Sequence, residues 1–355
     1  MRKEELALGL EERPSSGGAD EEEDLIAGLC AFYKGLKARQ RDAGGLYLPG
    51  GEWGEYLAER RAFYESLAQG DLEDVHAGLR GFWRNELGPI VSNYAYYRDL
   101  AAGKPASVER FMTLMSRDYG IWRSLYPDEP LGRLRVPEIG DPWGLSIGGE
   151  LVAPQAFRFH NHSRQISGIL SGIGKPVWAE IGGGYGGTAF YYLRNALEPG
   201  VTYVDFDLPE TLAIAAYYLS RALPGRRIWL HDGAAPLTRE SVSGFDVVLA
   251  PNYAIERLED DAVDLFLNAF SFSEMPYPVL ENYLRHVQRT TAGYFLQNNM
   301  DRSGVVNRGF ERVPCSRYPI DPRRMKLLYK KHDLFQGTEG DYRECLYQRI
   351  AAGGA

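Results

Sequence analysis

The residues with the clearest chemical potential are an acidic residue, a run of glycines and a second acidic residue. Glu180 lies inside the short apolar segment Val177–Ile181, and the sequence GGGYGG follows at residues 182–187. Glycines after a strand let the backbone turn sharply and approach a ligand closely. Asp207 follows Gly186 by 21 residues, at the end of the next predicted strand. A carboxylate there suits the two hydroxyls of a ribose, so the pattern predicts a nucleoside-containing ligand.

The glycine run fits more than one class of site. Gly182, Gly184 and Gly186 match G-x-G-x-G, but replacing the last by Gly187 gives the G-x-G-x-x-G of dinucleotide enzymes. A loop without a ligand is a third interpretation. Glu180 favours a cationic ligand, because a buried carboxylate is costly without a partner. The amino group of a methionine moiety is such a partner, whereas a pyrophosphate would be repelled. The predicted cofactor-binding residues here are Glu180, Gly182, Gly184, Gly186 and Asp207.

These segments resemble the class I S-adenosylmethionine-dependent methyltransferases. The resemblance rests on EIGGGYG at residues 180–186 and on FDLP at residues 206–209. A narrower resemblance, to a family of sugar O-methyltransferases, rests on residues 138–144 (EIGDPWG), 205–210 and 270–275 (FSFSEM). It implies S-adenosyl-L-methionine as cofactor and methyl transfer to a hydroxyl of a sugar or sugar-containing natural product. A phenol or amine acceptor, a nicotinamide-dependent oxidoreductase and a cofactor-binding protein without catalysis are the alternatives.

Three polar residues at the ends of later strands are further candidates. Asp232 ends the third predicted strand, and the resemblance implies that it accepts a hydrogen bond from the adenine amino group. A turn aspartate before Gly233 is the alternative. Asn252 and Tyr253 follow the fourth predicted strand, where ligands of doubly wound folds lie. We expect Asn252 to contact the cofactor and Tyr253 the acceptor.

The acceptor hydroxyl needs a base, because it is a weak acid and the methyl transfer is an in-line displacement. The candidates are His162, His160 and Glu274, and Ser271 and Arg158 are expected to bind the substrate. The two histidines would point about 200° apart on a helix, which does not suit a joint metal site. No metal site is predicted.

The elements that must position these residues follow from the apolar periodicity. Strands alternating with helices predict an α/β fold, a Rossmann-like doubly wound sheet. The resemblance implies seven strands with an antiparallel C-terminal hairpin. The predicted strands are residues 177–181, 201–206, 227–231, 245–250, 293–298, 334–337 and 342–350, with a turn at 338–341. The predicted helices are residues 158–170, 188–197, 209–223, 260–270 and 277–289.

Composition and texture suggest how the 355 residues are organised. Residues 1–22 read as a flexible acidic tail, 23–130 as a helical N-terminal domain, and 131–175 as a connecting segment with a small hairpin and a helix. Residues 176–355 are the predicted methyltransferase domain. The net charge of −8 argues against a nucleic-acid partner, and the three dispersed cysteines suggest no disulfide framework. We expect a cytoplasmic protein without membrane contact, and leave a homo-oligomer open.

Overall fold

The computed structural model describes residues 5–13, 19–85, 87, 94–195, 200–305, 310–335 and 341–350. Within them lies one large, mostly parallel sheet with helices on its faces. Its strands, in spatial order, are β12 (Met325–His332), β13 (Tyr342–Arg349), β9 (Thr291–Met300), β8 (Val263–Ala269), β4 (Val177–Ile181), β5 (Thr202–Asp207), β7 (Val247–Pro251) and β6 (Ile228–Leu230).

The sheet has a parallel centre and one antiparallel strand. β4 pairs in parallel with both β5 and β8, and β13 runs antiparallel between β9 and β12. The doubly wound prediction therefore agrees with this α/β architecture, although eight described strands replace the seven expected. The one that the sequence did not predict is β8, which lies between β4 and β9. The carboxyl ends of β4, β5, β7 and β8 consequently meet at one edge of the sheet.

One predicted helix is wrong, and one predicted strand is displaced. Residues 260–270 contain β8, whose core-facing run VDLFLNA is buried between two parallel neighbours. Short apolar runs of this kind do not distinguish a strand from a helix by periodicity alone. The first strand of the C-terminal hairpin is β12, whereas the sequence predicted residues 334–337. Residues 336 and 337 of that predicted strand, and residues 338–340 of the predicted turn, lie outside the described residues. β13 lies where the second hairpin strand was expected. β10 (Gly304–Val305) and β11 (Glu311–Arg312) form a separate antiparallel pair outside the large sheet.

The helices described on the carboxyl side of the chain support this edge. They are α7 (Ala156–Leu170), α8 (Gly187–Asn195), α9 (Pro209–Ala222), the single turn α10 (Arg239–Val242) and α11 (Tyr277–Thr290). α9 is buried along most of its length, and Pro209 occupies its first turn, where its missing N–H costs nothing. Asp207 therefore immediately precedes a rigid helix start.

Helices dominate the amino-terminal part of the chain: α1 (Ala19–Asp42), α2 (Gly51–Glu59), α3 (Arg61–Gln69), α4 (Leu72–Arg80), α5 (Tyr94–Ala101) and α6 (Pro105–Leu125). They share one hydrophobic core with α8 and α9, since buried side chains such as Leu36, Tyr64 and Tyr218 belong to one contiguous cluster. None of the helices described is long and apolar enough to cross a membrane.

The prediction of a loose tail at residues 1–22 is wrong where the structure describes it. β1 (Leu6–Gly9) pairs antiparallel with β2 (Gly144–Ile147), which pairs in turn with β3 (Glu150–Val152). The small hairpin expected here is thus part of a three-stranded sheet. Glu22, within α1, is buried. It accepts a hydrogen bond from the Tyr217 hydroxyl and forms an ion pair with Arg221, both at 2.9 Å. Residues 1–4 and 14–18 lie outside the described residues.

Candidate functional site

The glycine turn after β4 is a conformation that few other residues could adopt. Gly182, Gly184 and Gly186 have φ angles of +76°, +63° and +89°, in the left-handed region that glycine tolerates. A Cβ on Gly182 would lie 2.6 Å from the Ser271 hydroxyl, and one on Gly186 would lie 2.8 Å from Leu219 on α9. The turn is therefore pressed against both a polar turn and a helix. Gly182 and Gly184 line a pocket, whereas Gly186 is used for helix packing.

Three carboxyl groups surround this turn. Asp205 Oδ1 accepts a hydrogen bond from the Gly183 N–H at 3.1 Å, and Asp207 Oδ2 accepts one from the Gly184 N–H at 3.0 Å. Asp207 also accepts from the Leu208 N–H at 2.7 Å. Glu180 lies behind the turn. Two backbone donors of the turn are thus already paired with carboxylates.

Burial dominates the ionisation of the three acids. It raises the pKa of Glu180 to about 8, opposed mainly by a hydrogen bond from the Tyr203 hydroxyl at 3.2 Å. It raises the pKa of Asp207 to about 7, opposed by the Leu208 and Gly184 N–H groups. The pKa of Asp205 is raised too, by burial and then by the Asp207 charge. A cation close to this cluster would relieve its mutual repulsion.

A pocket opens beside the turn, with a cavity volume of about 90 Å³. Its polar lining comes from the sheet edge and includes Asp207, Asn252, Ser271 and Glu274. The remaining lining residues are Leu46, Leu48, Pro49, Gly50, Trp53, Ile181, Gly182, Gly184, Phe206, Leu208, Met275, Pro276, Val279 and Tyr283.

The wall formed by residues 46–53 was missed in the sequence. Tyr47 anchors it: its carbonyl accepts from the side chains of Gln40 and Asn252, and its hydroxyl donates to Glu256. Trp53 Nε1 donates to Glu274 Oε2 at 2.8 Å across the pocket. A signal was present, because Gly44-Gly45 and Pro49-Gly50-Gly51 interrupt the helical pattern there. The helical region thus supplies one side of the site.

The turn after β8 brings two predicted residues to the pocket. Ser271 and Glu274 lie in a 3-10 turn, Ser271–Glu274, and both line the pocket. Asn252, at the end of β7, lines it as well, although its amide is engaged with the Tyr47 carbonyl and the Tyr253 N–H. These placements agree with the proximity that the sequence predicted. They leave the chemical role of each side chain as a prediction.

The histidine candidates lie elsewhere. Both lie on α7, buried, and neither lines the pocket. His160 Nδ1 accepts a hydrogen bond from Trp122 Nε1 at 3.0 Å, and burial lowers its pKa to about 4. Burial also lowers the pKa of His162 to about 4. Because neither histidine lines this pocket, a role for either one as the general base stays a prediction.

Arg158, Asp232 and Tyr253 are also placed outside the pocket lining. Arg158 stacks on the Phe270 ring, with its guanidinium carbon 4.1 Å from the ring centroid, on the Glu180 side of the turn. Asp232 caps its own turn through the Ala234 N–H and is half exposed, beyond the edge strand β6. The Tyr253 hydroxyl donates to the Leu36 carbonyl. The adenine role of Asp232 and the acceptor roles of Tyr253 and Arg158 therefore stay predictions.

No protein-family model and no curated protein sequence matches the chain. Among solved structures, the mitomycin 7-O-methyltransferase MmcR aligns with 12% identity over 55% of each chain, with a TM-score of 0.36. Magnesium protoporphyrin IX methyltransferase ChlM from Synechocystis PCC 6803, with bound SAM, shares 11% identity over 66% of this chain and 96% of its own, at 0.37. The cyclase SpnF shares 14% over 56% and 82%, at 0.39.

These likenesses are weak. The match spans about half of the mitomycin enzyme, and all three TM-scores lie below 0.5. Such scores carry no argument about function, so the assignment has to rest on the residues of the site itself.

Proposed function

We propose that this chain is an S-adenosylmethionine-dependent methyltransferase whose acceptor is a hydroxyl of a small molecule. One observation carries the choice of cofactor: carboxylates hold the N–H groups of Gly183 and Gly184. A pyrophosphate site of a dinucleotide enzyme uses free N–H groups at such a turn and does not surround them with acids. Three buried carboxyl groups suit a cationic ligand instead, which a sulfonium carrying an amino group is.

The residues of the turn and of the pocket fit this cofactor. We propose that Asp207, at the pocket wall, accepts hydrogen bonds from the ribose hydroxyls; Phe206 and Leu208 line the pocket on either side of it. A Cβ at position 182 would collide with Ser271, so glycine there allows the turn after β8 to close against this side of the pocket. Glu180 and Arg158, of opposite charge, lie behind the turn on the side we assign to the methionine end. When bound, the cofactor supplies a methyl group on a good leaving group.

Glu274 is the proposed general base. Of the three residues suggested by the sequence, it is the one that lines the pocket. Its Oε2 is held by the Trp53 indole, which fixes the carboxylate and orients it. We propose that it takes the proton of the acceptor hydroxyl as the oxygen forms its bond to the methyl carbon. A base positioned in this way contributes roughly 10²–10⁴-fold to rate.

A thermal-shift panel tests the cofactor assignment. S-Adenosylmethionine and S-adenosylhomocysteine at 100 times their dissociation constant should stabilise the protein by about 2.7 kcal/mol, whereas NAD and NADP should not. Asp207→Ala should remove the shift. Stabilisation by NAD but not by S-adenosylhomocysteine would contradict the proposal.

The sugar acceptor rests on the resemblance at residues 270–275 and on the aromatic and polar groups that meet there. Trp53 provides an aromatic face, and Ser271 and Glu274 provide polar groups beside it. Transfer of radiolabelled methyl from S-adenosylmethionine to panels of sugars, phenols and amines separates the acceptor classes. Labelling confined to phenols or amines would exclude a sugar hydroxyl without affecting the cofactor assignment.

A further inference from the structure

Buried amide side chains are concentrated where β8 and β9 end beside the pocket. Asn268, Gln297 and Asn299 are each fully buried, in strands whose other buried positions are mostly apolar. An amide in such a place is costly unless its donors and acceptors are paired. We call these three residues, with Ser271 and Ser273, the amide network.

Within the amide network, Asn268 joins the glycine turn to the turn after β8. Asn268 Nδ2 donates to the Ile181 carbonyl at 2.9 Å and to the Ser271 hydroxyl at 2.6 Å. The Ser271 hydroxyl itself donates to the same Ile181 carbonyl at 3.0 Å. Asn268 Oδ1 accepts from the Phe272 N–H. One side chain thus sets the distance between residue 181 and residues 271–272.

Asn299, the second asparagine of the amide network, connects Asn268 to the C-terminal end of the Ser271–Glu274 turn. Asn299 Nδ2 donates to Asn268 Oδ1 and to Gln297 Oε1, each at 2.9 Å. Asn299 Oδ1 accepts from the backbone N–H and the hydroxyl of Ser273, at 3.3 and 3.2 Å. The Ser273 hydroxyl accepts in turn from the Met300 N–H at 2.9 Å. The chain of bonds therefore ends one residue before Glu274.

The turn held by this network is strained. Phe270 has a φ of +72°, a conformation that a bulky side chain rarely adopts. Such a backbone persists only when surrounding contacts determine it. The bonds from Asn268 and Asn299 reach residues 271–273, directly after the strained position. Without them, the turn would relax away from the glycine turn.

We infer that Asn268 and Asn299 are positioning residues: they fix the Ser271–Glu274 turn against Gly182 and so set the wall of the pocket that meets the methionine end of the cofactor. The inference rests on the proposed function for the identity of that ligand. Neither asparagine lines the pocket, so each acts through Ser271 and Ser273.

Two variants test the inference by calorimetric titration with S-adenosylhomocysteine. Asn299→Asp replaces the amide donor, and Ser273→Ala removes a hydroxyl that does not line the pocket. We expect affinity to fall about tenfold and about threefold, respectively. Gln288→Glu is the matched control. The Gln288 amide, on α11, is also buried and donates to the Leu284 carbonyl of the same helix and to the Pro319 carbonyl; its side-chain hydrogen bonds do not reach residues 271–274. It should lower the melting temperature and leave affinity unchanged.

Hydrogen exchange provides a readout that needs no ligand. The backbone N–H groups of Phe272, Ser273 and Met300 donate into the amide network, so peptides covering them should exchange faster in Asn299→Asp and Ser273→Ala. If Asn299→Asp does not fold, Ser273→Ala decides the outcome. Affinity within twofold of the wild type in the folded variants, with a lowered melting temperature, would reduce the network to a structural role and overturn the inference. If the wild-type protein binds no S-adenosylhomocysteine, the proposed function is overturned. In that case hydrogen exchange still tests the inference: unchanged exchange in both variants would show that the amide network does not position the turn.

Discussion

The affinity for S-adenosylhomocysteine should fall steeply as the pH is lowered through neutrality. Burial raises the pKa of Asp207 from its ordinary value of 3.8 to about 7. In the proposed site the ionised carboxylate accepts hydrogen bonds from both ribose hydroxyls, whereas the protonated form must first lose its proton. For one required proton release with a pKa of about 7, the apparent dissociation constant rises roughly 25-fold between pH 7.5 and pH 5.5. The Asp207→Asn variant cannot titrate at this position, so it should bind weakly and with a shallower pH dependence, to which Glu180, whose pKa is raised to about 8, still contributes.

The raised pKa of Asp207 affects the stability of the ligand-free protein in the opposite direction: it stabilises the folded state at low pH. Because the folded-state pKa of Asp207 is raised, its stability contribution is largest below pH 3.8 and is lost as the pH rises to about 7. The contribution of Asp207 to the melting temperature of the ligand-free protein therefore decreases between pH 3.8 and about pH 7. The increase in melting temperature that S-adenosylhomocysteine produces grows over the same pH range. Isothermal titration calorimetry of the wild type and of Asp207→Asn at five pH values measures how the affinity for S-adenosylhomocysteine depends on pH. A wild-type affinity independent of pH, or an equal slope in Asp207→Asn, would refute the assignment of Asp207.

Three further predictions concern individual side chains. Asp207→Asn at pH 7.5 should weaken S-adenosylhomocysteine binding by at least about 30-fold, since hydrogen bonds to a charged group contribute roughly 1.5–3 kcal/mol each; calorimetry that shows less than threefold loss contradicts the ribose role. Trp53→Phe should lower the rate of methyl transfer about fivefold, because Glu274 loses the donor that holds it, and the melting temperature should stay unchanged as a check. His160→Leu leaves the buried Trp122 N–H unpaired, so stability should fall by about 1–3 kcal/mol with affinity unchanged, as denaturant unfolding and titration will show; lost affinity would restore the histidine as a site residue.

Local chemistry made the glycine turn and its flanking acids predictable. A short apolar strand, glycines at left-handed positions and Pro209 at a helix start are signals that act within a few residues. Glu180 was correctly expected to be buried. What the pattern did not indicate is that Asp205, one residue before Phe206, joins the cluster by bonding to Gly183.

Contacts between distant segments were not predictable in the same way. Strand β8 contains Asp264 and Asn268, whose four-residue spacing imitates a helical face, yet both side chains bond to backbone groups of β4. The wall at residues 46–53 meets Glu274 across more than two hundred residues of sequence. The two histidines of α7 are buried core residues, and His160 accepts a hydrogen bond from the Trp122 indole. Burial and pairing across the fold decided each case.

Equilibrium binding of S-adenosylmethionine labelled in its methyl group tests the central claim most directly. The account predicts one saturable site per chain, competed by S-adenosylhomocysteine, unaffected by NAD, and weakened by at least about 30-fold in Asp207→Asn. Absence of saturable binding, or binding of equal strength in Asp207→Asn, would contradict it.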